Sequence, residues 1–260
     1  MLRKDQWCKV LNHEKMGPEV YLICLESKEI ALGARPGQFV MISVNRGDSK
    51  DPLLRRPFSI AWTDESRDAF YILYRVVGRG TSILSKIKNG EFLKVLGPLG
   101  NGFNTIWDEQ RFLVGGGLGI APIIFLAKKM QSKQAPHKCI IGIRSKEDFP
   151  ALIDILQKDI THIEITSEDG SVGIKGLVTT ALESLVKNHR NCLIQTCGPI
   201  PMLKAISEIV TRYGIKWELS LEANMACGVG LCLGCAFEGK NRIVHICKDG
   251  PVFDGNEIFA

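Results

Sequence analysis

Four of the nine cysteines in this chain gather near its end, as Cys227, Cys232, Cys235 and Cys247, with the spacing C-x4-C-x2-C-x11-C. Thiolates are soft ligands, and several on one short loop can hold a metal ion or an inorganic cluster. Gly228, Gly230 and Gly234 lie between them. Backbone without Cβ can wrap such a core and turn N–H groups toward its sulfurs. A C-x4-C-x2-C run with a distant fourth cysteine is the plant-type arrangement for a [2Fe–2S] cluster. A structural zinc site is the main competitor, but zinc favours two closely spaced ligand pairs, and the fourth cysteine here stands alone. A cluster moves single electrons, which raises the question of what feeds it.

Arg56-Pro57-Phe58-Ser59 suits a flavin dinucleotide. Arg56 can pair with a pyrophosphate, Phe58 can pack on ring or ribose, and Ser59 can hydrogen-bond the reactive edge of the flavin. An ordinary charged strand end is the plain alternative. Leu73-Tyr74-Arg75 follows on the next strand, and Gly78-Arg79-Gly80-Thr81 opens a helix whose free N–H groups could meet phosphate. Further on, Gly115 to Gly119 forms a strand-to-helix turn in which Gly116, Gly117 and Gly119 let backbone approach a diphosphate. The turn departs from the dinucleotide fingerprint, with Ile120 in the sixth position. Arg144-Ser145-Lys146 stand where an acidic residue would end the second strand, and they could hold a 2′-phosphate. The residues therefore leave NAD and NADP both open. Cys197-Gly198-Pro199 ends a later strand, on the edge where open α/β sheets bind ligands. Cys197 alone could be a core thiol, as Cys24, Cys139 and Cys192 are expected to be. The five histidines (13, 137, 162, 189 and 245) are dispersed and expected on the surface, and His245 is a spare ligand beside Cys247.

The elements that must position these residues fall into two rhythms. Short β-like runs occur at residues 20–25, 38–44, 58–62, 69–77 and 91–96, the last expected to end at Gly97-Pro98. Punctuated by Gly, Pro and Asp, they suggest a small antiparallel barrel. One helix interrupts them, capped by Thr81 and stopped by Asn89-Gly90. After Asn101-Gly102-Phe103, continuous apolar strands alternate with amphipathic helices, the pattern of a parallel sheet covered on both faces. The expected helices are one following Pro122 through about Met130, then 151–158, 175–187 and 201–213, and the expected strands 111–114, 139–143, 162–166, 192–196 and 215–221. The expected organisation is an antiparallel barrel (1–104), an α/β domain with a parallel sheet (105–218) and a C-terminal cluster-binding loop domain (219–260). The 33 basic and 28 acidic residues are scattered, which excludes a nucleic-acid footprint. No apolar run approaches a membrane span, and no apolar stretch follows the charged N-terminus as in a signal peptide. A reducing cytoplasm is expected, where clustered thiols bind metal and isolated ones fill cores.

In order and content these motifs resemble the ferredoxin reductase superfamily. Met225-Ala226-Cys227-Gly228-Val229-Gly230 with Cys247-Lys248-Asp249-Gly250-Pro251-Val252-Phe253 is similar to the electron-transfer subunits of NAD-dependent, type B dihydroorotate dehydrogenases. The resemblance implies FAD on the barrel at Arg56 to Ser59, Leu73, Tyr74, Arg75, Gly80 and Thr81. It implies NAD(H) as co-substrate at Gly116, Gly117, Gly119, Cys197, Gly198 and Pro199, and a [2Fe–2S] cluster on the four clustered cysteines. It further implies an FMN-containing catalytic partner in a two-plus-two heterotetramer, serving de novo pyrimidine biosynthesis. Phe58 departs from the tyrosine of many superfamily members, which removes one hydroxyl contact and keeps the packing. Hydride transfer needs stacking and orientation more than acid–base groups, so no catalytic dyad is expected. Two other readings stand beside this one: a small subunit of a ferredoxin- or sulfide-linked oxidoreductase, and a non-catalytic redox sensor or zinc module.

Overall fold

The computed structural model describes residues 4–45, 51–66, 68–106 and 109–259. Six strands close into a barrel in the order β1-β2-β5-β4-β3-β6. They are β1 (Lys4–Gly17), β2 (Val20–Glu26), β3 (Phe39–Ser43), β4 (Arg56–Thr63), β5 (Ala69–Arg75) and β6 (Phe92–Leu99). Val40, Ile42, Ile60, Ile72 and Val95 are fully buried in this part of the core. Every barrel pairing is antiparallel. The sequence pattern predicts no strand before Val20, yet β1 is 14 residues long. Its charged outer face hides it, because only Cys8, Val10 and Met16 are apolar and buried, and a bulge between Val10 and Asn12 breaks the alternation. Strand β6 runs beyond its expected stop. Between Phe39 and Met41 its register against β3 slips by one residue, and this bulge takes in Gly97-Pro98.

Two short helices decorate the barrel. Helix α1 (Lys28–Gly33), which the sequence pattern does not predict, starts where the Ser27 side chain accepts from the Ile30 N–H at 3.2 Å. Helix α2 (Arg79–Leu84) is capped by Gly78, and not by Thr81 as expected. Thr81 lies one turn inside it, where its Oγ1 accepts from the Val77 and Gly78 N–H groups at 2.9 and 3.2 Å.

The second rhythm gives β7 (Gln110–Gly116), α3 (Ile120–Ser132), β8 (His137–Ile143), α4 (Pro150–Asp159), β9 (Ile163–Ser167) and β10 (Ile174–Lys175). It continues through α5 (Val178–Val186), β11 (Cys192–Cys197), α6 (Ile200–Tyr213) and β12 (Lys216–Ser220). The strands order as β10-β9-β8-β7-β11-β12, all parallel. Lys175, expected as the start of a helix, instead pairs with Ser167, beside Ile174 and Thr166. Helix α3 is apolar nearly all round because it is wedged between β4 of the barrel and the sheet.

The tail adds β13 (Ala236–Glu238), β14 (Ile243–His245), α7 (Ile246–Asp249), β15 (Val252–Asp254) and α8 (Gly255–Ile258). Strand β15 pairs antiparallel with β12 and becomes the seventh strand of the sheet. One continuous apolar core joins the barrel to α3 and α4, and a second joins the other sheet face to Met41, Leu99, Cys235 and Cys247. The connection from barrel to sheet is clamped. Fully buried Arg111 donates to the Asn104 carbonyl at 2.9 Å, and Gln195 reaches the same carbonyl at 2.9 Å and Glu218 at 2.7 Å.

Candidate functional site

A cleft of about 530 Å³ opens where β4, β5, the start of α2, the glycine turn after β7 and the chain leaving β12 meet. It is lined by Arg56, Pro57, Phe58, Ser59, Leu73, Tyr74, Arg75 and Thr81, residues that the sequence places on three separate elements. Leu118, Ala121, Ser220 to Met225 and Pro251 close it from the sheet and the tail.

The two adjacent arginines have different work. Arg55 is engaged by Asp5 in a two-pronged pair at 2.8 and 2.9 Å. Arg56 has no carboxylate partner among the described residues; its Nη1 donates to the Leu54 carbonyl, and its guanidinium lies over Gly80. A Cβ at Gly80 would stand 2.7 Å from Arg56 Nε, so a side chain there would push the guanidinium off the start of α2. The two phosphate-competent elements of the sequence are thus one surface. Arg75 stacks over the Phe149 ring at 5.4 Å, and its buried Nε has no hydrogen-bond partner among the described residues. A buried donor without an acceptor, in a cleft with a guanidinium that no carboxylate among the described residues neutralises, suits an anionic ligand such as a diphosphate. Phe58 meets the Tyr74 ring edge-on at 5.6 Å, giving the cleft an aromatic wall on which a flat ring could pack. The residues present fit a flavin dinucleotide.

Three groups here go beyond what the sequence pattern predicts. Among the described residues Glu222 is the one carboxyl lining the cleft; its side chain is exposed toward the open space, and partial desolvation by the surrounding protein pushes its pKa upward. Its place just past the carboxyl end of a parallel strand was the available signal. Tyr21 and His13 back Tyr74 from behind, with ring centroids 5.7 and 6.0 Å away. His13, expected on the surface, is half-buried and takes two hydrogen bonds, and nothing in its neighbours in sequence reveals this.

The glycine turn and the Cys197-Gly198-Pro199 loop pack backbone to backbone. A Cβ at Gly119 would lie 2.6 Å from the Cys197 carbonyl carbon and oxygen and from the Gly198 nitrogen. A Cβ at Gly116 would meet Met202 Sδ at 2.5 Å and Pro199 Cδ at 3.3 Å, whereas Gly117 faces open space. The Cys197 thiol itself is fully buried, and burial together with Glu222 raises its pKa well above the usual thiol value. Backbone at 116–119 and at Gly198, and not the thiol, is what this loop pair can offer a ligand.

The four clustered cysteines converge. Cys227 Sγ accepts from the N–H groups of Val229, Leu231 and Cys232 at 3.4, 3.3 and 3.4 Å. Cys247 Sγ accepts from Gly230 N–H at 3.1 Å, and Cys235 Sγ from Cys247 N–H at 3.4 Å. Burial alone would raise the Cys227 pKa, but those amides and the Cys232 side chain bring it down to about 6. The thiols contact one another in two pairs, Cys227 with Cys232 and Cys235 with Cys247. Among the described residues no three Cys, His, Asp or Glu side chains are drawn close enough to hold a single metal ion. Two thiolate pairs with N–H groups aimed at their sulfurs fit a two-iron cluster. The His245 ring instead sits 3.8 Å from the Asp249 carboxylate, and its backbone N–H donates to that carboxylate at 2.7 Å.

Comparison with known proteins follows the same division. Residues 8–103 match the oxidoreductase FAD-binding domain and residues 113–208 the oxidoreductase NAD-binding domain. A solved structure described as the NADH-dependent reduced ferredoxin-NADP oxidoreductase covers 96% of this chain and 89% of its own, at 30% identity and a TM-score of 0.83. Phthalate dioxygenase reductase, at 17% identity and a TM-score of 0.64 over 84% of this chain and 70% of its own, shares the fold. Barrel, sheet and cleft define a flavin- and pyridine-nucleotide-linked oxidoreductase with an iron–sulfur domain. Residues 222–259 match the iron–sulfur cluster binding domain of dihydroorotate dehydrogenase B. The electron transfer subunits of dihydroorotate dehydrogenase B (NAD(+)) from Caldanaerobacter subterraneus subsp. tengcongensis and Enterococcus faecalis are 37% and 36% identical, each over 99% of both chains. The chain belongs to this family of electron-transfer subunits.

Proposed function

We propose that this chain passes electrons from the FMN of a dihydroorotate-oxidising partner to NAD⁺, in the biosynthesis of pyrimidines. One observation carries the reading. The segment from Ser220 leaves the nucleotide sheet, lines the flavin cleft through Met225 and enters the thiol loop at Cys227. Three redox stations therefore share one short wall.

When bound, FAD exchanges a hydride with nicotinamide and single electrons with the cluster, the two-to-one conversion this function requires. The protein contributes orientation and electrostatics. Arg56, Arg75, Gly80 and Thr81 would hold the diphosphate of FAD and Phe58 and Tyr74 its ring, with Pro57 and Leu73 shaping the wall and Ser59 placed to hydrogen-bond the flavin. Gly116, Gly117, Gly119, Gly198 and Pro199, on the shoulder formed at Cys197, receive NAD(H). Cys227, Cys232, Cys235 and Cys247 would hold a two-iron cluster. No side chain of the cleft is asked to remove a proton from dihydroorotate, so that chemistry falls to the partner.

The proposed assembly has two copies of this chain and two catalytic subunits, in the cytoplasm. Among the described residues no helix is long and apolar enough to cross a membrane. The boundaries 1–104, 105–218 and 219–260 belong to the same proposal, supported by the three matched segments.

Reconstitution tests the reading. The isolated chain should oxidise NADH with artificial acceptors and leave dihydroorotate untouched. Adding the FMN subunit should restore transfer from dihydroorotate to NAD⁺, and removing the cluster should abolish that transfer while sparing NADH–dye activity. Oxidation of dihydroorotate by the chain alone, or full NAD⁺ reduction without the cluster, would refute it. The ferredoxin-linked neighbour supplies the second reading. Reduction by ferredoxin in place of the dihydroorotate-oxidising partner would favour it.

A further inference from the structure

Tyr74 is 2% exposed, and its ring is gripped from both sides, by Phe58 at 5.6 Å and Tyr21 at 5.7 Å. Its hydroxyl lies 2.9 Å from His13 Nε2, and the other ring nitrogen of His13 lies 3.0 Å from the Ile87 carbonyl. A carbonyl only accepts, so Nδ1 carries a hydrogen, and in that tautomer Nε2 accepts from the Tyr74 hydroxyl. Burial and Tyr21 hold the Tyr74 phenol well above its ordinary pKa, which keeps it a donor. Ile87 belongs to the turn that follows α2, where its N–H bonds the Leu84 carbonyl at 3.1 Å. His13 is therefore a rigid strut between the turn after the phosphate-side helix and the tyrosine on the ring side of the cleft.

We propose that His13 is a positioning residue for the flavin, acting through Tyr74 to fix the wall against which the ring packs. The inference rests on the cleft being the FAD site. Without His13 the buried hydroxyl loses its acceptor, Tyr74 must turn or admit water, and the Phe58 face moves with it. The span from α2 to β5 is also freed.

The test uses the purified chain with FAD titrated back after removal. His13→Ala and Tyr74→Phe should each weaken FAD binding roughly tenfold or more and alter the visible circular dichroism of bound flavin. The double variant should be no worse than His13→Ala, because both changes break one link. His13→Gln, which restores an acceptor at the ε position, should recover most of the affinity and the spectrum. Tyr71→Phe is the control. It lies on the same strand, stacked on Trp62 at 4.7 Å and bonded to Cys24, away from the cleft. It should leave FAD binding unchanged. Wild-type affinity and spectrum in His13→Ala, or equal losses in Tyr71→Phe, would overturn the proposal. If His13→Ala does not fold, Tyr74→Phe decides in its place: weakened FAD binding with an altered spectrum supports the strut, and wild-type behaviour overturns it. Arg56→Ala separates the two readings. Its loss of FAD alongside an unaffected His13→Ala removes the strut and keeps the site, whereas an untouched Arg56→Ala removes the site and the strut with it.

Discussion

Nine thiols of one residue type divide by environment into two chemistries. Cys232 is exposed and Cys227 half-buried, on a loop whose amides point at sulfur, whereas Cys8 and Cys139 are fully buried in apolar packing. Changing Cys232→Ala should remove most of the roughly two irons and two labile sulfides per chain. Cys139→Ala should leave both in place, as read by iron and sulfide assay. Burial lifts the Cys8 and Cys139 pKa values from 9.0 to about 12. Both thiols thus keep their protons in the native state while the unfolded chain loses them. Their contribution to stability is complete below pH 9 and is lost as pH rises from about 9 to 12. Denaturant titrations across that window should show Cys139→Ala losing stability less steeply than wild type, by up to about 1.4 kcal/mol per pH unit. Equal slopes would mean the thiol ionises freely in the fold.

At the scale of elements, the decisive contact is between two turns. The glycine turn after β7 and the loop after β11 touch through backbone at Gly119, Cys197 and Gly198. No side-chain rotation can relieve a Cβ placed 2.6 Å from a carbonyl, so Gly119→Ala must separate the loops. Steady-state kinetics with a dye acceptor should show KM for NADH rising roughly tenfold, about 1.4 kcal/mol, with FAD and iron content retained. An unchanged KM would place the nicotinamide nucleotide elsewhere.

The whole molecule is three sequence regions around two cores. The tail is not appended to the sheet: β15 extends it, Asn101 Nδ2 donates to the Asp249 carbonyl at 2.8 Å, and Gly228 lies against Met41 of the barrel. These contacts need no iron, so the barrel and sheet are expected to stand without it. Chelation should leave far-UV circular dichroism unchanged and confine new proteolysis to the loop between Met225 and Cys235. Collapse of the sheet on chelation would show instead that the cluster is the keystone of the fold.

Chemistry was legible wherever residue type and local spacing suffice. The C-x4-C-x2-C run, Arg56 to Ser59 and the glycine turn each announce a ligand through neighbours in sequence, and the change from short punctuated runs to apolar strands alternating with helices announces barrel, then sheet. Strand β1 was invisible because its burial comes from a barrel closed by β6, far along the chain. Tertiary structure alone decided which arginine pairs with a carboxylate among the described residues, since Asp5 claims Arg55 from another strand. It alone paired the thiols, placed Glu222 in the cleft and set His13 behind Tyr74. Those outcomes depend on distances between segments that no local pattern encodes, because they are fixed only when the two cores close.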